Sequence, residues 1–202
     1  MVFIVNLTKP VILASGSPRR KELLALAGFN FTVRPANGEE VTTKTLPCDI
    51  VCELAHQKAF EIAKAQTAPC YVIGADTIVA FENRILGKPK DSADAVRMVS
   101  MLQGSTHQVY TGVTLIEVCT DGSLREKSFY EETNVHVCQM TKDEIASYVA
   151  TGEPLDKAGA YGIQGTFSIY VSGIEGDYFN VVGLPVSRLY HEFAAFQNAS
   201  RK

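Results

Sequence analysis

The sequence contains no tryptophan. It also has no apolar run of about 18 residues, the length a bilayer-spanning helix needs, so nothing in it predicts a membrane span. Positive charge is scarce as well: 19 Lys and Arg stand against 22 Asp and Glu, for a net charge of −3 at pH 7. That balance argues against a nucleic-acid coat or a membrane-surface protein, and an anionic ligand must meet a local basic cluster. The five cysteines (Cys48, Cys52, Cys70, Cys119, Cys138) form no Cys-x-x-Cys pair. Cys48 and Cys52 have no companion cysteine–histidine pair, so reduced thiols of a cytosolic protein are expected rather than a structural zinc. The four histidines (His56, His107, His136, His191) are dispersed and suggest no triad. MVFIVNLTKP has too short an apolar run, and no basic n-region, for a signal peptide. Internal repeats, linkers and low-complexity stretches are absent too.

What is present reads as a globular chain. At 202 residues, 46% hydrophobic and 20% charged, it has enough apolar content for a full core. The expectation is one domain over residues 1–202, with a core of about 10–197, in one body or in two lobes. The organising stretch is Leu13-Ala14-Ser15-Gly16-Ser17-Pro18-Arg19-Arg20. Val11-Ile12-Leu13 reads as a buried strand, and Pro18 as the first residue of a helix with Leu23, Leu24 and Ala27 inward and Gly28 as its stop. Arg19 and Arg20 oppose the positive end of that helix, at a cost of about 0.3–1 kcal/mol each. An anion shared by free N–H groups, Ser15, Ser17 and the two guanidinium groups removes the conflict. The alternative is that both arginines point to solvent or pair with Glu22.

Phe29–Arg34 alternates as a strand, and a polar loop over residues 35–45 carries Glu39-Glu40, which suits either solvent or a divalent cation. Pro47 opens a helix to about Gln66, and Lys58 falls among its apolar positions, to snorkel or to enter a cleft. Tyr71–Phe81 is the most strand-like stretch, with Asp76 in its middle. A carboxylate there is costly unless paired or bound to metal, which marks it as functional. Glu82-Asn83-Arg84 turns the chain, Ile85-Leu86 returns, and Lys88 comes back within one residue of Asp76 if the turn is short. The register is open, and a slip of one residue would turn Lys88 to the other face.

Further along, Asp91–Met101 reads as a helix closed by Gly104. Strands Gln108–Val118 and Ser128–Val137 follow, joined by Asp121-Gly122. A helix capped by Thr141 and Glu144 comes next, then a glycine-rich loop from Gly152 to Gly165, a strand Phe167–Val171, and a last helix from Pro185 to about Gln197. The alternation predicts an α/β fold, a mixed twisted sheet flanked by helices.

LASGSPRRKELL, Glu39-Glu40, LAHQKA with Lys58, GADT with Asp76, LGKP with Lys88, KAGAYGIQG and GDYFNVVGLP together resemble the Maf family of nucleoside triphosphate pyrophosphatases, from Val11 to about Phe196. The resemblance implies an elongated, ITPase-like single domain with a central cleft, in the cytoplasm and often as a homodimer. It implies hydrolysis between the α and β phosphates with Mg²⁺ or Mn²⁺, and a nucleoside triphosphate as partner rather than nucleic acid or membrane. Carried over by position, Ser15, Arg19, Arg20, Lys58 and Lys88 bind phosphate and substrate, Glu40 and Asp76 hold the metal, and Asp76 accepts the proton. Arg19, Thr77 and Gln164 match positions linked to substrate choice, and the YGIQG form resembles the branch acting on dTTP and UTP. Hydrolysis of 7-methyl-GTP or of a modified pyrimidine nucleotide, or a non-catalytic nucleotide-binding regulator of cell division, are the alternatives.

Overall fold

The computed structural model describes residues 7–82 and 84–199. The reading of the first six residues, and the part of the Glu82-Asn83-Arg84 turn that falls on Asn83, lie outside the described residues. One seven-stranded sheet runs in the order β2-β1-β3-β5-β6-β7, with β4 paired to β3. The strands are β1 (Val11–Leu13), β2 (Phe31–Val33), β3 (Cys70–Phe81), β4 (Arg84–Leu86), β5 (Thr106–Val118), β6 (Leu124–Val137) and β7 (Val171–Glu175). The helices are α1 (Pro18–Leu26), α2 (Pro47–Ala63), α3 (Ser92–Leu102), α4 (Lys142–Ala150), α5 (Tyr178–Val182) and α6 (Val186–Ala199). The mixed α/β expectation is met. The chain gathers into two compact units. One takes in the residues up to Asp76, Thr111–Glu131 and those from Gly183 onward; the other is Thr77–Tyr110 with Glu132–Val182.

In the first unit β1 pairs in parallel with β2 on one side and β3 on the other, Val11 lying opposite both Phe31 and Tyr71. Parallel strands covered on both faces read as continuous apolar runs, and Val11-Ile12-Leu13 is fully buried. Helix α2 buries Ile50, Val51, Leu54, Ala55, Ala59 and Ala63. It comes within backbone contact of two strands, which only glycine permits. A Cβ at Gly74 would sit 2.3 Å from the Ala55 carbonyl oxygen, and one at Gly112 2.3 Å from the Val51 carbonyl. On α6, Phe193 packs edge-on against Phe29 and Tyr71, with ring centroids 5.0 and 5.1 Å apart. The carboxylate of Glu117, 2% exposed, is neutralised by Lys9 at 2.7 Å and Arg125 at 2.5 Å.

The second unit centres on Val79, Met98, Leu102, Tyr148, Tyr161 and Phe167. The Thr141–Glu144 capping box is present, each partner satisfying the other's backbone N–H. The long glycine-rich segment contains 3-10 turns at Glu153–Asp156 and Ala158–Ala160. The strand expected over Phe167–Val171 is corrected: Thr166–Tyr170 is a 3-10 turn, and β7 begins at Val171. Apolar residues at Phe167, Ile169 and Val171 fit a period of two. Yet Ile169 is 70% exposed while Phe167 is fully buried against the rings of Tyr148, Tyr161 and Tyr170. A three-residue period, Phe167 to Tyr170, is what the core accepts there. Gly173–Pro185 contains the end of β7 and helix α5.

Candidate active site

Strand β1 delivers a buried Ser15 to the head of α1. Ser17 caps α1, its Oγ accepting from the Arg20 N–H at 3.5 Å, while Ser15 Oγ accepts from the Ser17 N–H at 3.3 Å. Arg20 is anchored within the first unit. Its Nε donates to the Gly183 carbonyl at 3.0 Å, and its Nη1 donates to Ser15 Oγ at 3.3 Å. Burial lowers the Arg20 pKa from its ordinary value, opposed by the charges of Asp76 and Glu40 and reinforced by Arg19. A guanidinium titrates so high that it stays charged regardless. Arg19 remains partly exposed beside it. The local conflict of two cations at a helix N-terminus is thus real, and one of the two is immobilised by a carbonyl and a hydroxyl.

Lys58 does not snorkel. Its Nζ lies 2.6 Å from Asp76 Oδ1 and 2.9 Å from Glu40 Oε1, so one ammonium joins a carboxylate on β3 to one on the loop before α2. The close approach of Gly74 to Ala55 and Ala59 sets this geometry, since it lays the last turns of α2 on β3 two residues from Asp76. Asp76 is 8% exposed and is compensated by this ion pair, as a buried carboxylate must be. Glu40 is half exposed. Its loop is tethered on both sides. The Glu61 carboxylate accepts from the Asn37 and Gly38 N–H groups at 3.0 and 2.9 Å, and these bonds lower its pKa. Gln57 exchanges hydrogen bonds with the Val41 N–H and carbonyl, at 3.2 and 2.5 Å. Gln57, Lys58 and Glu61 share one face of α2, a spacing visible in the sequence but without meaning until the loop is seen to return there. A cavity of about 430 Å³ lies among Gly38, Glu40, Val41, Gln57, Lys58 and Phe60.

Thus Ser15, Arg20, Glu40, Lys58 and Asp76 are brought together in the first unit, with Arg19 on the same helical turn as Arg20. Thr77, half-buried, follows Asp76 on β3 and is the first residue of the second unit. Lys88 and Gln164 belong to that second unit as well, both exposed. The hairpin pairs Phe81 with Arg84 and Val79 with Leu86, so Arg84 is a strand residue rather than part of the turn. Pairing stops at Leu86, two residues short of Lys88, and Gly87 instead accepts a hydrogen bond from the Gly159 N–H at 3.1 Å. This ties the segment carrying Lys88 to the loop that leads to Gln164.

Two carboxylates converging on one ammonium can hold a hard divalent cation in its place, because carboxylate oxygens are the donors Mg²⁺ and Mn²⁺ take. The buried serine, the anchored Arg20 and the α1 N-terminus are donors of the kind phosphate oxygens accept from.

Relatives align with this chain along most of their length. The chain is 53% identical over 194 residues to a protein of Agathobacter rectalis named dTTP/UTP pyrophosphatase, covering 90% of this chain and 95% of that one. It is 51% identical over 186 residues to a protein of the same name from Lachnoclostridium phytofermentans, covering 92% and 94%. Among solved structures, a HAM1 protein from Coxiella burnetii aligns with 15% identity and a TM-score of 0.49, over 93% of this chain and 100% of that chain. Residues 10–196 match the family described as Maf-like protein, and the chain belongs to that family.

Proposed function

We propose that this chain hydrolyses dTTP and UTP to the nucleoside monophosphate and pyrophosphate. The observation that carries the reading is the convergence of Glu40, Lys58 and Asp76, in a chain about half identical to proteins bearing that activity in their name. Water adds to the α phosphorus as the bond from that phosphorus to the α–β bridging oxygen breaks, and pyrophosphate leaves with the electron pair. Asp76, which Lys58 pairs before substrate and metal arrive, takes the proton of the attacking water. Arg19, Arg20 and Lys58 neutralise charge building on the phosphate oxygens, with Ser15 and the α1 N–H groups. Groups already oriented before the substrate arrives do this without reorganising, and Arg20 is locked by Gly183 and Ser15. Lys88 is assigned to the leaving phosphates, and Gln164 and Thr77 to the base. The Gln164 amide offers one donor and one acceptor, the complement of the uracil and thymine edge.

Glu40 and Asp76 would hold Mg²⁺ or Mn²⁺, which supplies further positive charge to the phosphate oxygens. The chain is taken to act as one nucleotide pyrophosphatase domain, since β3, β5 and β6 each carry residues of both compact units. The cytoplasm and a homodimer complete the reading. All five cysteines are free thiols, which suits a reducing compartment. Sedimentation of the purified chain checks the dimer. Among the described residues, no helix is long and apolar enough to cross a membrane.

The test is pyrophosphate release from dTTP, UTP, CTP and 7-methyl-GTP, with Mg²⁺ and with Mn²⁺, for wild type and Asp76→Asn. Release from dTTP and UTP is expected, and a drop of about 10²- to 10⁴-fold in the variant. A folded protein releasing nothing from any nucleotide would replace this reading with a nucleotide-binding regulator.

A further inference from the structure

Resting on the reading that Gln164 faces the base, we propose that Glu153 is a positioning residue for base selection, the post on which the turn presenting Gln164 is mounted. Residues Gly162-Ile163-Gln164-Gly165 form a β-turn closed by the Gly165 N–H donating to the Gly162 carbonyl at 3.1 Å. Gln164 is the third residue of that turn and is exposed. An exposed side chain on a four-residue turn reads a base only if something holds the turn.

Both ends of it are held, and both lines lead to one carboxylate. On the far side, Glu153 Oε2 accepts from the Thr166 N–H at 2.8 Å and from its hydroxyl at 2.6 Å. On the near side, the Gly162 backbone hydrogen-bonds the Tyr148 oxygen, and the Tyr148 hydroxyl donates to Glu153 Oε1 at 3.2 Å. Those donors lower the Glu153 pKa even though burial alone would raise it, so the acceptor stays charged. The contact is also steric: a Cβ on Gly165 would lie 2.1 Å from Glu153 Oε1, and one on Gly162 2.7 Å from Lys157 Cε. Lys157 in turn donates to the Glu153 carbonyl at 2.7 Å and to Asp156 Oδ1 at 2.6 Å. The turn therefore rests on Glu153 and Lys157, and a side chain at Gly162 or Gly165 would have to push one of them aside. One step earlier, Tyr161 is pinned by a 2.7 Å bond between its hydroxyl and His107 Nε2. Residues 161, 162 and 166 are thus all fixed, and Gln164 is carried between them.

A displacement of about 1 Å at a group that reads or orients substrate costs on the order of 10²-fold, so losing this post should show in selectivity. UTP and CTP share sugar and triphosphate and differ only at the base edge. The test compares kcat and KM for both with wild type, Gln164→Ala, Glu153→Ala, Glu153→Gln and the Glu153→Ala/Gln164→Ala double variant. Expected is a fall of about 10- to 100-fold in the UTP:CTP ratio of kcat/KM for Glu153→Ala, chiefly through KM for UTP. Partial rescue is expected in Glu153→Gln, which keeps one acceptor oxygen, with a double variant no less selective than Gln164→Ala alone. If wild type takes CTP as well as UTP, or Gln164→Ala keeps the preference, the base-reading role of Gln164 fails and this inference with it. If Gln164→Ala loses the preference while Glu153→Ala keeps it, or the two losses multiply in the double variant, Glu153 does not act through Gln164. That result overturns the inference and leaves the base reading standing. Should Glu153→Ala fail to fold by circular dichroism, Tyr148→Phe cuts the near-side line alone. A smaller fall in the same ratio then supports the inference, and an unchanged ratio overturns it.

Discussion

Two loops of this molecule carry side chains to which the proposed function gives a role, Glu40 and Gln164, and they are built in opposite ways. The loop carrying Glu40 is tethered by Gln57 and Glu61, partly exposed side chains of α2 that bond its backbone at the surface. The turn carrying Gln164 stands on a buried base of Phe167, Tyr148, Tyr161 and His107, the least exposed of which show no accessible surface. Surface hydrogen bonds exchange readily with water and contribute little net stability, whereas close-packed rings admit one arrangement. The difference suits the two tasks. In the proposed function the Glu40 carboxylate would exchange an ammonium for a metal and needs room to adjust, while the Gln164 amide would distinguish one base edge from another and needs a fixed position.

Removing the buried base should do the most damage. Phe167→Ala deletes a fully buried ring among three others and is expected to cost about 3–5 kcal/mol, read by urea or thermal unfolding. A loss below about 1 kcal/mol would mean the base of the Gln164 turn is no firmer than the surface tethers, and the contrast would dissolve.

Next in size is a pH effect confined to the same base. Burial lowers the His107 pKa from 6.5 to about 4, and its Nδ1 has no hydrogen-bond partner among the described residues. The folded state therefore binds fewer protons than the unfolded state between those values. His107 leaves stability intact above about pH 6.5 and withdraws it as pH falls towards about 4, at roughly 1.4 kcal/mol for each pH unit crossed. His107→Phe should flatten the fall in melting temperature across that window while losing the bond to Tyr161. An equally steep fall in the variant would assign the acid sensitivity elsewhere.

The smallest expected effect is at the surface tether. Gln57→Ala should cost less than about 1 kcal/mol of stability and raise KM for substrate severalfold, because the Glu40 loop loses one anchor. Unfolding curves and steady-state kinetics together sharpen the comparison: a large stability loss here would show that the loop is part of the core framework.

Much of the fold was legible because its signals are local. Val11-Ile12-Leu13, the Pro18 start of α1, its Gly28 stop with φ of 80°, and the Thr141–Glu144 box each depend on neighbours within a few residues. Asp76 was legible as a carboxylate in an apolar strand. The Phe167–Val171 segment was not, because five residues fit a period of two and a period of three equally well, and only the pocket formed by Tyr148 and Tyr161 chooses. His107 carried no signal at all, being one histidine in a strand whose partner lies 54 positions along the chain.

By itself, the sequence determined the residue types the chemistry needs and the local elements that carry them. Strand, cap and helix periodicity are short-range consequences of backbone geometry and side-chain burial. Only the tertiary structure decided that Lys58 would join Glu40 to Asp76, groups each 18 positions away from it in opposite directions. That pairing depends on Gly74 and Gly112 letting α2 touch the backbone of β3 and β5. Which side chains meet is settled by how closely two surfaces approach, and a missing Cβ acts on that distance without leaving a pattern along the chain.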